Sequence, residues 1–241
     1  MSLKSNIVIL TGAGVSADSG VDTFRSEGGI WSKVDYRDVA TPEGFARHPE
    51  LVHDFYNMRR GNLRNVEPNV GHIALAKLEK AVTAAGGNFT LVTQNVDDLH
   101  ERAGSKNLIH MHGELTKVRC GDCGAVHHWV ADLTYEDQCP ECEVMFAMRP
   151  HIVWFGEMPM HMPLIDERLA AADLFVSIGT SGSVYPAAGY VAEARGMGIK
   201  TMEINLEPSE NAHMFDEKIY GPGKDVLPKW VEEMVGESDA S

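Results

Sequence analysis

The sequence has no uninterrupted apolar stretch close to the roughly 20 residues that a helix needs to span a bilayer, so we expect no membrane segment. Basic residues are also few: 21 Lys and Arg against 35 Asp and Glu give a formal net charge of -14. Since phosphate contacts need clustered Lys and Arg, this balance argues against direct nucleic-acid binding. The charge suits a cationic partner, although acidic surfaces also serve solubility alone. The first residues hold no apolar signal segment, and we expect a cytoplasmic protein.

Cysteine is scarce as well, with only four in 241 residues. They form two CxxC pairs, Cys120 with Cys123 and Cys139 with Cys142, and two such pairs can supply the four thiolates of a tetrahedral zinc site. The alternative is two disulfides, which a reducing cytosol disfavours. A site of four cysteines is coordinatively closed, so we expect one structural zinc ion and chemistry elsewhere.

Short apolar segments alternate along the chain with segments of helical character. Strands are predicted at residues 6–10, 88–93, 173–179 and 200–205, with a shorter one at 108–109. Helices are predicted at residues 50–62, 72–85 and 186–197. Strands that alternate with helices in this way predict an α/β fold whose parallel sheet is covered on both faces.

The first predicted strand runs into a glycine-rich turn, Gly12-x-Gly14-x-x-Ala17, which fits the dinucleotide fingerprint. In that fingerprint the glycines let backbone amides approach a pyrophosphate at the start of a following helix. An ordinary tight turn can show the same pattern. The acidic ribose ligand expected about 20 residues later would fall near Asp35 or Asp38, but no strand pattern precedes either residue. The motif therefore does not favour a dehydrogenase.

Polar clusters follow four of the predicted strands, at residues 12–16, 94–97, 179–181 and 205–207. The carboxyl ends of parallel strands meet at one edge of the sheet, and open α/β sheets bind their ligands at that edge. We therefore predict a nucleotide site there.

Together these motifs resemble the sirtuin family of NAD-dependent protein lysine deacylases, and within it the bacterial CobB type. The resemblance covers nearly the whole chain. It rests on GAGVS at 12–16, GVDTFR at 20–25, TQNVD at 93–97, HMHG at 110–113, the two CxxC pairs, VWFGE at 153–157, GTS at 179–181 and NLE at 205–207. It implies a Rossmann-like parallel sheet with a smaller inserted zinc-binding and helical domain. The Rossmann-like part would comprise residues 1–27, 63–117 and 152–241, the helical insertion 28–62 and the zinc-binding module 118–151.

The resemblance also implies a reaction in which NAD is consumed. The substrate acyl oxygen attacks the nicotinamide ribose, nicotinamide leaves, and the products are 2′-O-acyl-ADP-ribose and free lysine. His112 would be the general base, and a histidine suits this role because its reference pKa of about 6.5 lets it accept a proton near neutral pH. Asn95 and Asp97 would act with it by holding the carboxamide of nicotinamide, which needs both an acceptor and a donor.

Other NAD contacts are implied by the same resemblance. Gln94 would lie at the ribose, Phe24 would shield the reactive ribose face, and Asn205 with Glu207 would bind the adenosine ribose. Gly223 stands where bacterial relatives often have alanine, and a backbone contact to adenine would survive that change. The complete set of expected NAD-binding residues is Gly12, Ala13, Gly14, Ser16, Phe24, Arg25, Trp31, Gln94, Asn95, Val96, Asp97, Gly179, Thr180, Ser181, Asn205, Leu206, Glu207 and Gly223.

Tyr56 and Arg59 concern the acyl group. They stand three residues apart on a predicted helix, so they share one face. The planar Arg fork and the Tyr hydroxyl suit the free carboxylate of succinyl-lysine or malonyl-lysine, although this spacing is also common on any solvated helix. The resemblance implies a desuccinylase-like class that also removes acetyl groups. Small residues in the sequence ATPEGF at 40–45 would admit the larger acyl groups.

Residues 153–157 follow the zinc module and are predicted to be extended, so that they could pair with the backbone of a substrate peptide. An interdomain strand with apolar packing is the alternative. The expected substrate contacts are Tyr56, Arg59, Val153, Phe155, Gly156 and Glu157. The expected partners are acylated lysine side chains of cytosolic proteins. Two other functions stay open: transfer of ADP-ribose to a protein or water, and a non-catalytic NAD-sensing module, although the latter would be expected to have lost His112, Asn95 or Asp97.

Overall fold

The computed structural model of the chain describes residues 2–22 and 34–236. Nine strands occur in this part of the chain: β1 (Asn6–Thr11), β2 (Asn88–Thr93), β3 (Leu108–His110), β4 (Gly113–Cys120), β5 (Val126–His128), β6 (Met148–Ile152), β7 (Leu174–Ile178), β8 (Lys200–Asn205) and β9 (Glu217–Tyr220). Six of them form a parallel sheet in the order β3-β2-β1-β7-β8-β9. The other three form an antiparallel sheet in the order β5-β4-β6.

Eight α-helices surround these sheets within the described residues. They are α1 (Tyr36–Val39), α2 (Pro42–Arg47), α3 (Pro49–Leu63), α4 (Val70–Ala84), α5 (Leu99–Ala103), α6 (Met162–Ala170), α7 (Tyr190–Gly196) and α8 (Gly223–Gly236). Short 3-10 turns cover Ala13–Val15, Ala17–Ser19, Ala187–Gly189 and Ala212–Met214. None of the helices in these two ranges is long and apolar enough to cross a membrane.

The parallel sheet is buried on both faces, because successive residues of β1 enter two different apolar cores. Ile7 and Ile9 pack in a core that α4 and α8 complete, whereas Val8 and Leu10 pack in a core completed by α6 and α7. Since side chains alternate across a strand, a strand buried in this way must be apolar along its whole length. The predicted fold class is therefore confirmed.

The strand prediction missed four strands, and the physical reasons differ. β9 lies at the edge of the sheet, where Glu217 and Lys218 are exposed, so it has no apolar run. β4, β5 and β6 form a small sheet beside the cysteines, in which buried and partly exposed residues alternate over short lengths. Such segments carry too little periodic signal to be recognised as strands.

Helix α3 is joined to the small sheet and to the loop after β5 by polar side chains. Asn57 Nδ2 donates to the Leu133 carbonyl at 2.9 Å, and the Leu133 N–H donates to Asn57 Oδ1 at 2.8 Å. Arg60 Nε donates to the Leu115 carbonyl in β4 at 2.8 Å, and Arg60 is only 2% exposed. Loss of the Arg60 bond would leave a buried polar group without its partner, so this bond fixes the position of α3 against β4.

The order of the strands in the parallel sheet shows where the ligand-binding crevice lies. The chain proceeds from β1 outward to β2 and β3, and later returns to β7 on the other side of β1 before proceeding outward to β8 and β9. The direction therefore reverses between β1 and β7, and a doubly wound sheet binds its ligand beyond the carboxyl ends of the strands at that point.

Candidate functional site

The glycine-rich turn after β1 lies directly against the turn after β7. Gly12 N–H donates to the Ile178 carbonyl at 3.0 Å, and Gly14 N–H donates to the Gly179 carbonyl at 2.9 Å. A Cβ atom on Gly14 would lie 2.8 Å from the Gly179 Cα, which is too close for any side chain. These two amides are therefore engaged by β7 and its turn, and the glycines are needed here for packing of one backbone on another. Two short 3-10 turns, Ala13–Val15 and Ala17–Ser19, follow Gly12.

Ser16 lies at the centre of a buried hydrogen-bond network at this edge. Its Oγ accepts from Asn95 Nδ2 at 3.0 Å and donates to Asp97 Oδ2 at 3.1 Å. His72 Nδ1 accepts the Asn69 N–H, so His72 Nε2 carries the ring proton and donates to Ser16 Oγ at 3.3 Å. The network fixes the side chains of Asn95 and Asp97, which are 7% and 6% exposed.

The protonation states of this network follow from its burial and its bonds. Burial lowers the pKa of His72 to about 4, so the ring is neutral at physiological pH. Burial raises the pKa of Asp97, whereas donation from the Leu99 N–H and from Ser16 lowers it. Both oxygens of the Asp97 carboxyl group therefore already accept hydrogen bonds: Oδ1 from the Leu99 N–H at 3.2 Å, and Oδ2 from Ser16 Oγ.

Sequence reasoning did not single out Asn69 and His72. Asn69 caps α4: its side chain accepts from the N–H groups of Gly71 and His72, while the His72 ring accepts from the Asn69 N–H. This arrangement is a capping box in which histidine takes the place of the usual Glu or Gln at the third helical position. The signal that could have identified it is an asparagine three residues before a histidine at the start of a predicted helix.

His112 and His110 are two positions apart in the sequence, but their rings carry different numbers of protons. His112 Nδ1 lies 3.2 Å from the Gln94 carbonyl, which can only accept, so Nδ1 is protonated and Nε2 keeps a free lone pair in the neutral ring. His110 donates from both nitrogens, to the Asn95 carbonyl at 3.3 Å and to Glu101 Oε1 at 2.6 Å. Burial lowers the pKa of His112. For His110 burial also acts to lower the pKa, but the bond to Glu101, the charges of Glu101 and Glu114 and the bond to the Asn95 carbonyl together outweigh it and raise the pKa. Of the two, only His112 can act as a base.

Gly113 sets the direction of the chain just after His112. Its φ angle of 86° lies in the left-handed region, and a Cβ atom would stand 2.0 Å from the His151 carbonyl oxygen. The His112 carbonyl accepts the Val153 N–H at 2.9 Å. His112 is thereby held between the parallel sheet and the segment that follows β6.

Several of the remaining predicted NAD residues lie at the same edge of the sheet. A pocket between the ends of β1, β2 and β7 is lined by Gln94, Ser177, Thr180 and Ser181 among others. Asn205 Nδ2 donates to the Thr180 carbonyl at 2.7 Å, and Leu206 and Glu207 are exposed beyond it. Phe24, Arg25 and Trp31 lie outside the described residues.

Gly223 begins α8, and a Cβ atom there would make ordinary contacts, 3.7 Å from Asp18 Oδ2 and 3.9 Å from Leu227 Cδ1. Alanine would therefore fit at this position.

The buried carboxylate of Glu203, which sequence reasoning missed, accepts from Tyr220 Oη at 2.7 Å and from Ser209 Oγ. It ties the turn after β8 to β9. Glu203 lies within β8 next to Ile204. An acidic residue inside a buried strand was the sequence feature that could have indicated a buried, hydrogen-bonded carboxylate.

Tyr56 and Arg59 lie on one face of α3, as the spacing predicts. The Arg59 Cζ atom is 5.7 Å from the centroid of the Tyr56 ring and equally far from that of Phe55. Burial raises the pKa of Tyr56 and lowers that of Arg59, but arginine stays protonated at neutral pH. The pair therefore combines a cation with a protonated hydroxyl, and Tyr56 packs in the third apolar core of the molecule.

Residues 153–157 do not form the continuous extended segment that the sequence predicts. β6 ends at Ile152, and the chain turns after Trp154, because the Glu157 N–H donates to the Trp154 carbonyl at 3.0 Å. The Phe155 N–H donates to the Ala40 carbonyl at 2.9 Å, which joins this turn to the loop before α2. The Glu157 carboxylate accepts from Arg119, Arg149 and the Trp154 N–H.

The four cysteines converge at the end of β4, and all four Sγ atoms lie within 4.8 Å of one another. Cys120 Sγ is 3.7 Å from Cys142 Sγ, and Cys123 Sγ is 3.8 Å from Cys139 Sγ. A disulfide would require about 2.05 Å. A tetrahedron with Zn–S bonds of about 2.3 Å has sulfur–sulfur edges of about 3.8 Å. The geometry thus fits a zinc site and excludes the alternative of two disulfides.

Comparison with known proteins agrees with this site. The Sir2 family model matches residues 12–186. A protein of Caulobacter vibrioides named NAD-dependent protein deacylase is 58% identical over 229 residues, which cover 95% of this chain and 96% of that protein. An Escherichia coli K12 protein of the same name is 54% identical over 234 residues, covering 96% and 83% respectively. A solved structure of a Sir2 homologue in complex with NAD has a TM-score of 0.86 at 35% identity and covers 98% of this chain and 92% of that chain. The chain belongs to the Sir2 family, the sirtuins.

Proposed function

We propose that this protein is an NAD-dependent protein deacylase that removes acetyl groups, and also succinyl and malonyl groups, from lysine side chains. Membership of the Sir2 family and relatives named NAD-dependent protein deacylase at 54% and 58% identity support the activity and the use of NAD. The observation that carries the proposal is the His112 ring, whose Nδ1 bonds the Gln94 carbonyl and whose Nε2 is left as a base.

The residues at the strand edge would hold NAD as follows. When bound, NAD supplies an electrophilic ribose carbon and a nicotinamide leaving group. The Asn95 side chain keeps its carbonyl oxygen as an acceptor, because its bond to Ser16 uses the amide nitrogen. Asp97 adds a carboxyl group held in place by Ser16 and Leu99. A carboxamide needs an acceptor for its NH₂ group and a donor for its oxygen. The Asn95 oxygen and the Asp97 carboxyl group offer acceptors, and the second N–H of Asn95 Nδ2, which Ser16 does not use, offers a donor.

His112 would take a proton from a ribose hydroxyl at its Nε2 atom. Proton transfer to a positioned side chain contributes about 10²- to 10⁴-fold to rate. The bond from Nδ1 to the Gln94 carbonyl fixes the tautomer and the ring orientation before any ligand binds, so no reorientation is needed in the reaction.

The acid limb of the pH profile tests this role. Burial lowers the pKa of His112 below 6.5, and the neutral ring is the active form, so kcat/KM should fall only as the pH decreases through a value below 6.5. At pH 7 most of the enzyme should be active. The measurement is kcat/KM against pH from 5 to 9 with the acetyl peptide. A limb centred above 6.5 would point to a different ionising group, such as His110, whose pKa is raised.

Arg59→Met is expected to lower kcat/KM for a succinyl-lysine peptide about 100-fold, because truncation of one partner of a buried charge pair costs about 2–5 kcal/mol. The acetyl peptide carries no carboxylate and should lose less than about 3-fold. Arg168→Met removes an exposed arginine of α6 to which no role in the site is assigned, and it is the matched control. Equal losses on both peptides would contradict acyl recognition by Arg59.

The primary test incubates the protein with NAD and matched acetyl-lysine and succinyl-lysine peptides, with mass spectrometry of nicotinamide and deacylated peptide. Equal amounts of both products from both peptides would support the proposal. Nicotinamide without deacylated peptide would favour ADP-ribose transfer instead, and neither product would favour a non-catalytic module.

We also propose a cytoplasmic location and cytosolic protein substrates. The four cysteines are not joined in disulfides, which agrees with a reducing compartment. The formal net charge of -14 further supports protein substrates over direct nucleic-acid binding.

The proposed division into a Rossmann-like domain (1–27, 63–117, 152–241), a helical insertion (28–62) and a zinc module (118–151) is supported by the position of the strands. All six strands of the parallel sheet fall within the first set, α1 to α3 fall almost entirely within the second, and the cysteines fall within the third.

A further inference from the structure

The indole of Trp154 donates a hydrogen bond to the hydroxyl of Tyr56, with 3.0 Å between Nε1 and Oη. The two residues are 98 positions apart and are only 2% and 1% exposed. The indole nitrogen can only donate, so the Tyr56 oxygen must be the acceptor in this bond. Burial raises the pKa of Tyr56, so the phenol also keeps its own proton at physiological pH.

This bond restricts where the Tyr56 proton can point. The hydroxyl rotates about its C–O bond, and with the indole N–H on one side the proton must turn to another direction. Among residues 2–22 and 34–236, none accepts a hydrogen bond from this proton. Arg59, the cation that would bind an acyl carboxylate, lies over the same tyrosine ring.

The indole itself is held firmly. The Arg149 Cζ atom lies 3.3 Å from the centroid of the Trp154 ring, and Phe45 packs against the ring at 5.2 Å between centroids. Arg149 is fixed by two bonds to Glu157, at 2.7 Å and 3.0 Å. Glu157 also accepts the backbone N–H of Trp154 at 2.8 Å. Trp154 therefore cannot turn its N–H away from Tyr56 without breaking this set of contacts.

We propose that Trp154 is a specificity-determining positioning residue, which turns the Tyr56 hydroxyl into an obligate donor toward the carboxylate of an acidic acyl group. This inference rests on the proposed deacylase function and deepens its acyl selectivity. Trp154 acts through Tyr56 and needs no contact with substrate. Because an acetyl group has no carboxylate to accept the proton, the contribution of Trp154 is confined to succinyl and malonyl substrates.

The test is the ratio of kcat/KM for the succinyl peptide to kcat/KM for the acetyl peptide, since general damage to the enzyme cancels in this ratio. Trp154→Phe keeps an aromatic ring beneath Arg149 but removes the N–H. The ratio should fall about 3- to 10-fold, the value of one ordinary hydrogen bond. Trp230→Phe, which shortens a tryptophan of α8 in another apolar core, is the matched control and should leave the ratio unchanged.

A double-mutant cycle separates orientation of the hydroxyl from packing. With Tyr56→Phe as the background there is no hydroxyl to orient, so adding Trp154→Phe should leave the ratio at the Tyr56→Phe value. Arg149→Lys keeps a charge for Glu157 but loosens the indole, and it should lower the ratio in the same direction. If Trp154→Phe does not fold, the ratio measured with Arg149→Lys decides whether Trp154 orients the Tyr56 hydroxyl.

The failure of this inference is distinguishable from failure of the proposed function. If Trp154→Phe and Arg149→Lys keep the wild-type ratio while Tyr56→Phe and Arg59→Met lower it, Trp154 does not orient the hydroxyl and acidic acyl recognition stands. If Tyr56→Phe and Arg59→Met also keep the ratio, acidic acyl recognition by this pair is overturned as well. If the wild-type protein deacylates neither peptide, the deacylase function itself fails.

Discussion

Replacement of His112 by alanine is expected to lower kcat/KM for deacylation of both peptides about 10³-fold, within the range of general acid–base catalysis. The physical reason is the loss of Nε2, which the bond from Nδ1 to Gln94 leaves unprotonated. Release of nicotinamide should be much less affected, because Asn95 and Asp97 are held by Ser16 and do not contact His112 in the network described above. The two products are to be measured separately by mass spectrometry.

The control for this variant is His213→Ala, which removes an exposed histidine from the 3-10 turn Ala212–Met214. It should retain wild-type rates. Thermal unfolding of His112→Ala should match the wild type, since the ring makes one hydrogen bond and lies partly exposed. Deacylation within 10-fold of wild type in His112→Ala would remove this residue from the chemistry, and a base elsewhere at the strand edge would have to be found.

Loss of zinc should have the second large effect. When bound, the ion supplies cross-linking free energy, about 10–16 kcal/mol for structural zinc sites, comparable to the whole stability of a domain. Without it the small sheet should lose its structure, and with it the bonds from Leu133 and Leu115 that fix Asn57 and Arg60 of α3. Displacement of α3 by about 1 Å would cost roughly 100-fold in activity. We expect this loss in the Cys120→Ser, Cys123→Ser double variant.

The measurement combines metal content by mass spectrometry, melting temperature by circular dichroism and turnover of both peptides. Wild-type protein should contain one zinc per chain. Asp122→Ala lies between the two mutated cysteines on an exposed turn, so it is the matched control and should keep zinc and activity. Full activity in a zinc-free double variant would show that α3 holds its place without the small sheet.

The strand edge could be predicted from the sequence because it depends on local patterns. Each buried strand is an apolar run, and the polar residues that follow it, such as Ser16 and Asn95, must meet at one edge once the strands are parallel. The zinc site could be predicted for the same reason, since the spacing within each CxxC pair fixes two ligands on one turn.

Contacts between distant segments could not be predicted in this way. The difference between His110 and His112 depends on Glu101 and on the Gln94 carbonyl, and no spacing rule brings either of them to a particular ring nitrogen. The bond from Trp154 to Tyr56 joins a turn after β6 to a helix near the beginning of the chain. Glu157 was expected to contact substrate, and that expectation remains untested, but its arginine partners were not visible in the sequence.

Helix α3 packs in its own apolar core, separate from the two cores of the parallel sheet. Substitutions on that helix can therefore accumulate during evolution without disturbing the two cores of the parallel sheet. We expect acyl preference to drift quickly among descendants of such a protein, while the use of NAD is inherited unchanged. For protein engineering, the same separation makes α3 the place to install recognition of a new acyl group.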